Sequence, residues 1–73
     1  MDAPTPTTIV SEGFADFYRR EHAASLRLAW LLTGSRAAAE DVVQDAMTSV
    51  FRAYERIQFP SAYLRRAVVN SAK

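Results

Sequence analysis

The sequence has no cysteine, so it can form neither a disulfide framework nor a thiolate metal site, which fits a reducing compartment such as the cytoplasm. His22 is its single histidine, which leaves little for acid–base or metal chemistry. Glycine occurs only twice, and no glycine-rich loop that could cradle a phosphate is present. No apolar run approaches the roughly 20 residues needed to cross a bilayer, so membrane insertion is not expected. Residues 1–11 carry neither a basic opening nor a continuous apolar core, so no secretory signal is expected either. The formal net charge is only +1. That balance neither demands nor excludes nucleic acid as a partner, because the distribution of charge matters more than its sum.

What is present is one small domain's worth of chain. At 73 residues it buries about 60% of its unfolded surface on folding, and 49% hydrophobic residues suffice for a compact core. Pro4, Pro6 and several threonines mark residues 1–12 as a disordered tail ahead of a domain over residues 13–73. Ser11 or Gly13 can start a first helix. Residues 14–32 then contain no glycine or proline, with Phe14, Tyr18, Leu26, Ala29 and Leu32 at helical spacing. Gly34 suits the left-handed position after a helix, and Ser35 can cap the next one.

The second helix is expected over residues 36–54. Its apolar side is Ala39, Val42, Val43, Ala46, Met47, Val50, Phe51 and Tyr54. Asp41, Gln44, Asp45, Thr48, Arg52 and Glu55 fall on one opposite stripe. Pro60 ends the connection that follows, and Ser61 can cap a third helix from Ala62 onward. Tyr63, Leu64, Ala67 and Val68 form that helix's buried side, and Arg65, Arg66, Asn70 and Lys73 its polar side. The expected fold is an all-α three-helix bundle.

Two constellations stand out. In the first, Glu40 and Asp41 are placed in the first turns of the second helix, where acids interact favourably with the helix dipole. The dipole has faded at Gln44 and Asp45, so a solvated polar face and a docking face both stay open there. In the second, Arg65, Arg66 and Lys73 supply positive charge, while Tyr54, Phe59 and Tyr63 supply rings. Phosphates need the first group and unpaired bases the second. From spacing alone, a solvated face with core-closing aromatics is the favoured reading. Catalysis has little support. Glu21 and His22 are adjacent and point apart on a helix, and no histidine lies three or four residues from Glu40, Asp41 or Asp45. No enzyme, metal site or cofactor is expected.

The stretch LRLAWLLTGSRAAAEDVVQDAMTSVFRAYERI followed by PSAYLRRAVVN resembles region 2 of an extracytoplasmic-function (ECF) sigma factor of bacterial RNA polymerase, in the style of actinobacterial members. The likeness covers residues 14–70. An AED-x-x-Q-D run, an aromatic–Leu pair at residues 63–64 and an Asn six residues beyond that Leu carry it together.

The resemblance implies that the second helix docks on the β′ clamp helices of the polymerase core through Asp41, Gln44 and Asp45, with Thr48 and Arg52 beside them. Basic, polar clamp helices would account for carboxylates and an amide on that face. It also implies that the connection and third helix hold the promoter −10 element as single-stranded non-template DNA, one base being flipped into a pocket of the connection. The matching segment is residues 56–61, which includes Gln58, Phe59 and Ser61, followed by Tyr63, Arg65, Arg66, Asn70 and Lys73. Asn70 would make a polar base contact, Arg65 or Arg66 a phosphate contact, and Tyr63 would either stack or pack. An anti-sigma factor is the family's usual regulator. The −35-reading helix-turn-helix domain of full-length members is absent from this chain, so an N-terminal domain alone is expected. Two other functions fit the residues: a helical docking domain that does not read DNA, and a duplex-binding helix-turn-helix, which the Pro60 connection disfavours.

Overall fold

A computed structural model describes residues 13–73, which form three α-helices and no strand. The tail expected over residues 1–12, and a helix start at Ser11, lie outside the described residues. Helix α1 spans Phe14–Thr33, α2 spans Arg36–Ala53 and α3 spans Pro60–Ser71. A single 3-10 turn, Tyr54–Arg56, follows α2.

Gly13 opens α1 in extended conformation without a side-chain cap, and Asp16 in the first turn pairs with Arg19. Gly34 ends it in the left-handed region at φ 76°, donating its N–H to the Trp30 carbonyl at 2.8 Å. The Ser35 hydroxyl then accepts from the Ala38 N–H at 3.2 Å, capping α2 as expected. With only residues 34–35 between them, α1 and α2 form an antiparallel hairpin, and the N-terminal Phe14 meets Phe51 and Tyr54 at the end of α2. Helix α3 packs across both.

The core sits where the three helices meet. Phe17, Val43, Met47, Val50, Leu64 and Val68 are its largest fully buried side chains, with Ala29, Ala39 and Ala46 allowing close approach. Burying each large aliphatic or aromatic side chain contributes roughly 1.5–3 kcal/mol. The buried face of α2 runs from Ala39 to Val50, as its apolar period predicts.

Several expectations are corrected. Phe17, not Phe14 or Tyr18, is the buried aromatic of α1, and Leu32 is exposed. Phe51 is 63% exposed even though its ring meets Phe14 edge-on at the start of α1. Helix α2 ends at Ala53, so Glu55 lies in the 3-10 turn and off the stripe. Helix α3 begins at Pro60, whose fixed φ and missing N–H suit a first helical position, and Phe59 is the residue before it. Ser61 is therefore inside the helix and caps nothing. Tyr63 is 39% exposed and is not on the buried side of α3.

Candidate functional site

The outward face of α2 is built by the helix period alone. With Val42, Val43, Ala46, Met47 and Val50 turned inward, Asp41, Gln44, Asp45 and Arg52 are exposed on the other side. None of these four side chains has a hydrogen-bond or ion-pair partner among the described residues. Thr48 lies half-buried between them and spends its hydroxyl on the Gln44 carbonyl at 2.9 Å. The helix dipole does not account for the acids. Arg36 opens α2 as expected, and Glu40 and Asp41 follow just past its first turn, where the dipole has already weakened. Glu40 is instead held by Arg36, Nε to Oε2 at 3.1 Å. Asp41, Gln44 and Asp45 remain as an unpaired polar surface.

The connection and α3 carry the second surface. Gln58 and Phe59 are exposed in the segment between the 3-10 turn and Pro60. On α3 the structure separates residues that the sequence reading grouped. Tyr63, Arg66 and Asn70 follow at i, i+3 and i+7 and share one outward stripe. Ser61 and Arg65, at i and i+4, lie on the flank facing α1, where they line a small cavity with Glu21 and Ser25. The Ser61 hydroxyl donates to Glu21 Oε2 at 2.8 Å, so it is engaged within the fold. Lys73 lies just past the end of α3 and is exposed.

A larger groove of about 810 Å³ opens between the free end of the hairpin and the connection. Phe14, Phe51 and Tyr54 give it an aromatic wall, with Phe14 edge-on to Phe51 at 5.1 Å and to Tyr54 at 5.5 Å. Arg52 and Arg56 stand at it, each without a hydrogen-bond or ion-pair partner among the described residues, and Gln58 closes the connection side. Arg52 thus belongs both to the stripe of α2 and to this groove. Sequence reading missed the exposed ring of Phe51, because hydropathy assigned it to the core. It also missed Ser25 and weighed Glu21 only as a metal ligand; both are polar residues on a packed face that no pattern marks.

His22 stacks on Tyr18 with ring centroids 5.1 Å apart, at the edge of the core. Among the described residues, no group of three or more His, Asp or Glu is placed to hold a metal ion. No helix among them is long and apolar enough to cross a membrane.

A family model described as Sigma-70 region 2 matches residues 17–73. Comparison with curated proteins and with solved structures returned no match.

Proposed function

The chain belongs to the sigma-70 region 2 family, and from that premise we propose that it is region 2 of an ECF-type sigma factor with its two working faces on α2 and α3. Membership makes it a transcription-initiation domain that binds polymerase core and recognises −10 promoter DNA; the family is not a catalytic one. The finer reading assigns residues 13–73 to this domain and the cytoplasm as its place of work.

In this reading Asp41, Gln44 and Asp45 dock on the β′ clamp helices, with Thr48 and Arg52 at the margin. The observation that carries it is the unpaired, exposed set of two carboxylates and one amide directly opposite the buried face of α2. Charge-assisted hydrogen bonds from basic clamp residues would be shorter and stronger than neutral ones, and would fix the register of docking. An anti-sigma factor would act by covering these same faces.

The −10 element is taken as single-stranded DNA by the connection and α3. Tyr63, Arg66 and Asn70 supply a ring, a cation and an amide on one stripe, and Phe59 and Gln58 extend it. Arg65 and Lys73 add phosphate contacts. The groove beside the connection has the volume and aromatic wall to take an extruded base. Melting is capture: binding the unpaired strand shifts the duplex toward the open state, and no cofactor is called for.

The test is binding of the chain to an isolated β′ clamp-helix coiled coil. Wild type binds, while Gln44→Ala and Asp45→Arg weaken binding with helicity unchanged. Unaltered affinity in Asp45→Arg would return that face to plain solvation. For DNA, Asn70→Ala lowers sequence-specific binding of a single-stranded −10 oligonucleotide. No effect of Asn70→Ala on DNA would favour a docking domain that does not read promoters.

A further inference from the structure

The cavity between α1 and α3 holds two polar groups that the functions above leave unused. It is an open depression of about 300 Å³. Ser25, on its α1 side, is 7% exposed, and its hydroxyl has no hydrogen-bond partner among the described residues. Buried hydroxyls are ordinarily paired, so a lone one at a cavity wall points to something that binds there. Beside it lies Glu21, whose side chain is 19% exposed. Its Oε2 accepts from both the Arg20 guanidinium and the Ser61 hydroxyl. Its Oε1 has no partner among the described residues. One carboxylate oxygen is thus held in place by two donors and the other is left to meet a third.

We propose that this cavity is a subsite for a nucleobase that carries an exocyclic amine next to a ring-nitrogen acceptor, namely cytosine or adenine, with Glu21 and Ser25 reading that edge. The inference rests on the reading of α3 as a surface for single-stranded DNA. The amine donates to Glu21 Oε1, and the ring nitrogen accepts from the Ser25 hydroxyl. Ala24 and Ala62 present only methyl groups there, and Leu28 and Leu64 add apolar surface against which a flat ring can lie. Arg65 lines the same cavity and is exposed, where it can meet the phosphate of the same nucleotide. Uracil and thymine are rejected for a stated reason. They turn a carbonyl toward the carboxylate and a ring N–H toward the hydroxyl, so the strongest contact becomes a repulsion. Ser61 is a positioning residue, because it acts on the base only through Glu21.

The probes are fluorescent oligodeoxycytidylate and oligodeoxyuridylate of equal length, whose bases differ only at that edge. They are titrated with the 73-residue chain. Wild type binds the cytosine strand about tenfold more tightly, the discrimination of one good two-bond contact. In Glu21→Gln the ratio falls to about one, because an amide pairs with either edge. Ser25→Ala, a change that suits a helix interior, lowers the ratio without loss of helicity. Arg65→Ala weakens both strands alike. A ratio near one in wild type, with the Arg65 effect intact, would mean that only water fills the cavity; the proposal falls and the DNA reading of α3 stands. A cytosine preference that survives Glu21→Gln also overturns it. Failure to bind either strand overturns both this inference and the DNA reading beneath it.

Discussion

Replacing Gly34 by alanine isolates the conformational contribution of the hairpin link. Gly34 sits at φ 76° and ψ 8°, and a Cβ built there meets nothing within 4 Å. No steric clash therefore enters, and the whole effect is backbone preference. Holding an L-residue in the left-handed region costs about 1–2 kcal/mol. The lower entropy of the unfolded alanine chain offsets roughly 0.4–1 kcal/mol of that. The net loss is about 1 kcal/mol, which for a domain of this size lowers Tm by roughly 4–8 °C. Asparagine tolerates the left-handed region, so Gly34→Asn is expected to lose less than half as much. Thermal unfolding followed by far-ultraviolet circular dichroism separates the two. An unchanged Tm in Gly34→Ala would show that the link is not left-handed in solution. An equal fall for alanine and asparagine would show that something other than backbone conformation is being measured.

Ser35→Ala removes the hydroxyl that accepts from Ala38, and denaturant unfolding is expected to show a loss of about 1 kcal/mol from the missing cap. Arg66→Ala is expected to weaken single-stranded DNA binding uniformly across sequences, and to lower the slope of log affinity against log salt by about one phosphate's worth; an unchanged slope would remove Arg66 from the DNA surface. His22→Gln loses the ring stacked on Tyr18 but no group of either working face, so binding to the β′ clamp-helix coiled coil is expected to stay within about twofold of wild type for a residue of that kind.

The sequence reading was strongest where one physical rule acts alone. In α2 the core stripe and its polar opposite follow from a single period, and Gly34 and Ser35 have residue types that only a few backbone positions want. The reading failed where a neighbouring element decides. Phe51 continues the apolar period of α2, yet it stays mostly exposed with one edge against Phe14 of α1. Ser61 looks like a cap until Pro60 takes the first helical position and moves the start of α3 back. Tyr63 belongs with Arg66 and Asn70 because α3 crosses the hairpin at the faces of Leu64 and Val68, a rotation the sequence does not announce. Glu21 and Ser25 were illegible for a different reason. A hydropathy pattern cannot tell a polar residue facing water from one facing a neighbouring helix. The two working faces were named largely from a family resemblance; the residues' own physics left each open to a plain solvated surface.

The two-residue link between α1 and α2 bears on the order of events during folding. A loop so short closes at little entropic expense, and contacts between sequence neighbours form early. Leu64 and Val68 of α3 are buried in the core shared with the hairpin, so α3 is expected to dock after the hairpin forms. We expect truncation of Val43 to slow folding more than truncation of Val68, which mainly speeds unfolding. A ribosome releases the hairpin first as well. A nascent chain would then carry the face proposed to dock on polymerase, complete and exposed, before the face proposed to hold DNA has taken shape.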